Sequence, residues 1–266
     1  MQTVPLAKLG PVQLSDLEES KGGITYYNEY ARICTIVKQD PQRPGHLVNH
    51  IGDQSPYRMA CRFRGHWQDY NHQFVIQTAG CIFQCPFCYV DNLEEDCVVG
   101  APELVDMFKR FRKEVKQRFS ADVNVFHFMG GNPAKYAAFW PTLRQELDKQ
   151  GCADVILFSD CLLVENMVYD IRPWEYVDQN RFMLACCLKG TNGVNFRQNT
   201  GCDLFVPALY EATNYIHKDN CYFTLINYDP ADLKNIYNVL PKVKVDLLHV
   251  FPYEVTVQRQ KGTSNG

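Results

Sequence analysis

The spacing of apolar and polar residues changes period repeatedly along this chain, and each change marks an element boundary. From residue 73 onward, short apolar runs alternate with segments of helical period. "QFVIQTAG" (73–80) reads as a strand, and "VNVFHFMGG" (123–131) as a second that ends in two glycines. Between them Leu104, Phe108, Phe111, Val115 and Phe119 recur at steps of three and four. They predict one face of a helix beginning near Pro102, since proline suits a first helical turn. Leu143 and Leu147 mark another helix, which Pro141 opens or kinks. Then come strand "DVILFSD" (154–160), a short helical or irregular segment, and strand "RFMLACCLKG" (181–190). A helix from about Asp203 to His217 and strand "CYFTLINY" (221–228) follow. The last pair is a helix carrying Leu233, Ile236, Tyr237 and Leu240, and strand "VDLLHVFPY" (245–253). Strands separated by crossovers predict a parallel sheet buried on both faces. Right-handed crossovers curl such a sheet, so the expected class is α/β, a partial (β/α)6 barrel.

Residues 1–72 break this rhythm. "ITYYNEYARICTIVK" (24–38) reads as a strand or hairpin, and "QDPQRPGHLVNHIGDQSP" (39–56) as loop, given its Pro, Gly and Asn. The expected organisation is an N-terminal extension or cap over 1–72, the barrel over 73–255 and a flexible polar tail over 256–266.

Composition narrows the choices. With 266 residues and 46% hydrophobic content the chain can bury a full core. A formal charge of -3 gives no electrostatic reason to expect nucleic acid. The basic run "KRFRKEVKQR" from Lys109 falls on a helical period and reads as a solvated face. No stretch approaches the roughly 18 apolar residues of a membrane span, and "MQTVPLAKLG" lacks the blocks of a signal peptide, so a cytoplasmic protein is expected.

Twelve cysteines are too many to pass over. Most lie among apolar residues, where a free cysteine packs as a small hydrophobe. Three do not. "AGCIFQCPFCYVDN" (79–92) gathers Cys81, Cys85 and Cys88 in one loop, with Gly80 before it and Pro86 within it pointing to a tight turn. In a reducing compartment such a cluster more often holds metal or does redox work than forms disulfides. A structural zinc site closes its tetrahedron with four ligands, commonly from two C-x2-C pairs. No second close pair of that spacing occurs here. A zinc-stabilised, non-catalytic binding module, its site completed by a distant Cys or His, is the competing reading.

The spacing Cys81-x3-Cys85-x2-Cys88 resembles the signature of the radical S-adenosylmethionine (radical SAM) enzymes. The resemblance implies that three thiolates hold a 4Fe-4S cluster whose fourth iron stays open for S-adenosylmethionine. Tyr89 matches the aromatic that follows the third cysteine and lies near the adenine. "GGNP" (Gly130, Gly131, Asn132, Pro133) resembles the family's "GGEP" motif, which holds the cofactor's amino group, with Asn132 in place of Glu. "LFSDC" (157–161) ends the strand whose polar residues contact the ribose, making Ser159 and Asp160 candidates. "CCLKGTN" (186–192) resembles the "D-x-K" strand end of the radical-generating activases, with Cys187 in place of the acid. It makes Lys189 a candidate partner for the cofactor carboxylate. "LLHVFPYEV" is similar to their last strand, with Pro252 and Tyr253 matching. The pattern lies nearest to single-cluster activating enzymes and 7-carboxy-7-deazaguanine synthase-like members, and spans about residues 73–255.

The implied reaction is reductive cleavage of S-adenosylmethionine, fed by an external one-electron reductant of flavodoxin or ferredoxin type. The resulting 5'-deoxyadenosyl radical would abstract hydrogen from an unidentified metabolite, peptide or protein substrate. Lys189, Cys202 and Tyr253 are the candidate catalytic groups. Cys202 precedes an expected helix whose N-terminus would lower its pKa, although packing is its commoner role. His127 and His249, each within an apolar strand, are expected to be core histidines.

Overall fold

A computed structural model describes residues 2–11, 14, 23–40, 42–43, 45–49, 52–88, 90 and 92–250. All six expected strands form: β5 (His72–Gln77), β7 (Val125–Met129), β8 (Ile156–Cys161), β9 (Phe182–Leu188), β10 (Cys221–Ile226) and β11 (Val245–Leu248). They pair in parallel in chain order, β5-β7-β8-β9-β10-β11. A seventh strand, β2 (Ala31–Thr35), joins the free edge of β5 in antiparallel register, Ile33 opposite Phe74, while β3 (Lys38–Gln39) and β4 (Leu47–Val48) pair only with each other. The result is an α/β partial barrel. Part of the segment from 24 to 38 thus extends the main sheet.

Helices cover the outer face. The long helix begins at Ala101 with Pro102 in its first turn, and the carboxylate of Glu103 accepts from the Gly100 amide at 3.1 Å. It ends at Phe119, where Ser120 turns left-handed. Leu104, Phe108, Phe111 and Val115 are buried along it, as the period predicts, with Val105 beside them, whereas Phe119 of the same predicted face is exposed at the helix end. The Phe74 ring lies 5.5 Å from Phe108, 4.9 Å from Phe111 and 5.0 Å from Phe126, locking helix to sheet. Each such side chain, fully buried, stabilises the fold by about 1.5–3 kcal/mol. The next helix (Trp140–Lys149) has Pro141 in its opening turn, so the proline starts it and does not kink it.

Two helices depart from the expected pattern. One spans Ser55–Phe63, beginning at the end of the stretch that reads as loop and running past it, and its buried positions are Ser55, Pro56 and Met59. The other spans Gly193–Thr200, burying Phe196, Asn199 and Thr200. The first carries only a two-turn apolar stripe, Pro56, Met59, Ala60 and Phe63, and the second carries none. The second is set instead by its ends, with the Asn192 side chain accepting from the Asn195 amide and Gly201 closing it at φ +76°. The expected helix over 203–217 is shorter, Phe205–Ala212, continued by a turn of 3-10 helix.

The N-terminal residues brace the barrel at both ends. Strand β1 (Thr3–Leu6) pairs antiparallel with β6 (Cys97–Gly100), the segment that leaves the cysteine loop. Pro5 also accepts from the Ala79 amide at the loop's entrance. At the other end, the Ser55–Phe63 helix is tied to β11 by Arg58, whose Nη2 lies 2.6 Å from Asp246 Oδ1. No helix among the described residues is long and apolar enough to cross a membrane.

Behind the sheet, Glu165 and Glu211 are buried close to Cys161. The Glu165 carboxyl accepts from the amides of Leu162 (2.7 Å) and Val164 (3.0 Å), and Cys161 Sγ lies 3.3 Å from its Oε2. Burial raises the pKa of both acids, and Glu165 beside it helps push Glu211 up to about 8. The folded state therefore holds protons that the unfolded chain releases. This contribution to stability is complete below the unfolded carboxyl value of about 4.3 and is lost as pH rises through about 8. The unfolding free energy from urea denaturation is expected to fall across that window, with a shallower slope in Glu211→Gln.

Candidate active site

A strand's side chains alternate between its two faces, and the alternation decides which residues reach the barrel interior. His127 and Met129 of β7, Phe158 and Asp160 of β8, Ala185 and Cys187 of β9, and Tyr222 and Thr224 of β10 line one cavity of about 230 Å³. Cys81, Cys85 and Cys88 line the same cavity, with Gly130, Gly131, Pro133 and Lys189. These last seven residues all follow the carboxyl ends of their strands, the face where barrel enzymes place their chemistry.

The cysteine loop leaves β5 through Gly80 at φ +77°. Its turn is closed by the Cys88 amide donating to the Cys85 carbonyl at 3.0 Å. The Phe83 amide lies 3.4 Å from Cys81 Sγ, and the Gln84 amide donates to Thr200 at 2.8 Å. Phe83 packs edge-on against Phe196, so the otherwise unpatterned Gly193–Thr200 helix buttresses this loop.

The two glycines of "GGNP" let the end of β7 lie against the end of β5. Gly130 has φ +78° and Gly131 φ +62°. A Cβ on Gly131 would fall 2.4 Å from the Thr78 carbonyl oxygen and 2.7 Å from that of Gly80. Thr78 Oγ1 donates to the Gly130 carbonyl at 2.6 Å, and the Asn132 amide donates to Gly80 at 2.8 Å. The motif is thereby clamped to the entrance of the cysteine loop.

Burial raises the thiols of this loop, Cys81 to about 11 and Cys85 to about 12. A cationic metal centre would have to displace their protons. Half-buried Lys189 projects over the Phe87 ring, 5.7 Å from its centroid. Burial opposes its charge, but the surrounding Cys85, Cys187 and Asp160 groups outweigh that and hold its pKa above the usual value. Among the described residues, the Cys, His, Asp and Glu ligand atoms that lie within 4.8 Å of one another belong to Cys161, Glu165 and Glu211, not to the loop. Three soft thiol ligands from one turn, around one cavity, fit a polynuclear iron–sulfur group.

The expected residues do not all converge. Ser159 is fully buried on the face opposite Asp160, its hydroxyl donating to the Asp160 carbonyl at 3.1 Å. Adjacent strand positions cannot both face the interior, and Asp160 is the one that does. Asn132 is buried outside the cavity lining and contributes through its backbone. Cys202 also stands outside the lining, its Sγ 3.7 Å from the Ile82 carbonyl oxygen. Burial raises its thiol pKa where a helix N-terminus would have lowered it. That helix starts only at Phe205. His249 is exposed beside the Tyr228 ring and is no core histidine. Tyr89, Pro252 and Tyr253 lie outside the described residues.

Three cavity residues were not singled out as site residues by the sequence pattern. Asp53 arrives from the segment preceding the Ser55–Phe63 helix. His127 is buried, but both ring nitrogens lack hydrogen bonds, so it is not a satisfied core histidine. Cys187 takes the interior place that alternation denies Cys186. The parity of β7 carried the signal for His127, since it shares a face with Met129 at the strand's end.

Gly131→Ala is expected to cost more than Gly151→Ala, although both glycines have positive φ, because no atom lies within 4 Å of a Cβ on Gly151. Backbone strain of about 1–3 kcal/mol is common to the pair, and only Gly131 adds the collision with the β5 backbone. Urea midpoints of the two variants measure the difference.

No protein-family model matches the chain. No curated protein matches it. Among solved structures, SuiB of Streptococcus suis bound to S-adenosylmethionine superposes with a TM-score of 0.52 and 10% identity, covering 72% of this chain and 46% of SuiB. A further crystal structure of SuiB gives 0.50 and 10% identity, covering 72% of this chain and 45% of SuiB. This chain thus spans less than half the length of that neighbour. Its mostly parallel seven-stranded α/β sheet matches the fold of these structures.

Proposed function

We propose that this protein is a radical SAM enzyme. The observation that carries the reading is the meeting of three thiols from one short loop, the Gly130–Gly131 backbone and Lys189 around a single cavity. Cys81, Cys85 and Cys88 would hold a 4Fe-4S cluster, and S-adenosylmethionine would lie across the adjoining strand ends. With an electron from an external reductant of flavodoxin or ferredoxin type, the bound group supplies reductive cleavage of S-adenosylmethionine to methionine and a 5'-deoxyadenosyl radical that takes hydrogen from the substrate.

The chain's own residues bind, orient and exclude water. At Gly130 and Gly131 the absence of a side chain leaves backbone groups open to a ligand's ammonium. Lys189, held over Phe87, offers a cation to a carboxylate beside the thiols. Asp160 faces the cavity from the end of β8 and can accept from ribose hydroxyls. Phe158, Leu162 and Ile226 supply apolar wall, which strengthens these polar contacts by keeping solvent away.

Protein purified without oxygen is expected to contain about four iron and four sulfide per chain and, when reduced with S-adenosylmethionine, to release 5'-deoxyadenosine. Cys85→Ala is expected to lose both properties. One zinc per chain with no sulfide would overturn the proposal in favour of a zinc-stabilised module. Lys189→Met is expected to keep its iron yet bind S-adenosylmethionine at least about tenfold more weakly, as the loss of one charge-assisted hydrogen bond predicts. Equilibrium dialysis reads that change.

A further inference from the structure

Away from the thiols, the same cavity holds Asp53, His127 and Asp160. His127 is 1% exposed and lies against Phe158, with ring centroids 4.0 Å apart. Neither ring nitrogen makes a hydrogen bond, and Nε2 stands 3.6 Å from Asp160 Oδ1, too far for one. Asp53 is fixed from behind, its Oδ1 accepting from the Ser55 amide at 2.7 Å and its own amide donating to Asn49. The helix that follows is pinned by Arg58 to Asp246 and by Ser55 Oγ, which accepts from Gln73 at 3.1 Å. This carboxylate is a built part of the wall.

The charges in this part of the cavity do not close on themselves. Two carboxylates face one imidazole that bonds to neither. Lys189, the one Lys or Arg in the lining among the described residues, projects over Phe87 in the cysteine loop. Burying a carboxylate without a full partner is costly, and burial does raise the Asp53 pKa, with Asp160 adding to the shift. A cation with N–H donors would supply the missing charge, with its apolar stem against Phe158 and Tyr222.

We propose that Asp53, His127 and Asp160 form the subsite for a substrate's primary ammonium group. The inference rests on the proposed function only in treating the ligand as the substrate of the reaction. The chemistry that follows is simple. The ammonium donates to Asp160 Oδ1 and to Nε2 of His127, which stand 3.6 Å apart; Asp160 Oδ2 stays open to a ribose hydroxyl, the Asp53 carboxylate balances the charge, and the substrate's carbon chain then points toward the thiol end of the cavity.

The test uses the full chain, with n-butylammonium chloride as the probe and n-butanol and butyrate as its neutral and anionic counterparts. The His127 ring resonances, assigned by comparison with His127→Gln, are followed by NMR. A saturable shift is expected with butylammonium alone, with its apparent affinity at least tenfold weaker in Asp53→Asn. Binding of S-adenosylmethionine by the cluster-loaded variant, measured separately, is expected to stay within twofold of the parent. Equal responses to butanol and butylammonium, no saturable shift, or an Asp53→Asn variant that binds the probe as tightly as the parent would overturn the subsite. The three-probe comparison on the parent chain decides the matter even if Asp53→Asn does not fold. Failure to bind S-adenosylmethionine with the ammonium response intact would count against the proposed function and leave the subsite standing.

Discussion

Close approach of two strand ends governs the geometry of this protein. Gly131 brings the backbone after β7 so near the backbone after β5 that a single methyl group would collide with two carbonyl oxygens. The contact is then closed by the Asn132 amide and the Thr78 hydroxyl. Because the cysteine loop departs from the same point, the distance between the thiols and the glycine motif is set by backbone hydrogen bonds and not by flexible side chains. β1 reinforces the arrangement by pairing with the strand that leaves the loop and accepting from the one that enters it.

Alternation along the strands is the second constraint. It turns Asp160 inward and Ser159 outward, and it separates Cys187 from Cys186. One register therefore sorts chemically similar neighbours into a reactive cavity and a packed layer. The outward set meets the helices and includes the Glu165–Glu211 pair, whose burial favours the protonated state against the backbone amides that donate to it. The inward set leaves charge unmatched around Asp53, His127 and Asp160. The same cavity thus presents thiols and a lysine in one part and carboxylates in another.

Local signals made much of this legible. The long helix over 101–119 and the six parallel strands announce themselves through period, because an amphipathic helix and a buried strand each need a fixed spacing of apolar residues. The helix over 193–200 lacks such a stripe and is held by its caps and by contacts made elsewhere, while the stripe of the helix over 55–63 is only two turns long and follows a run of loop residues. His127 reads as core from the sequence because its neighbours in the chain are apolar. Its neighbours in space are a carboxylate and a cavity.

What the sequence by itself determined is the six-strand core with its long helix, the parallel order of those strands, and the gathering of three cysteines and a double glycine at strand ends. Those properties depend on residues a few positions apart, where spacing is enough. Tertiary structure alone decided that Asp53 joins the cavity from more than seventy residues before His127, that β2 extends the sheet, and that Ser159 turns away from Asp160's side. The physical reason is that these outcomes depend on strand register and on which distant segments cover the barrel, and neither is written in any local run of residues.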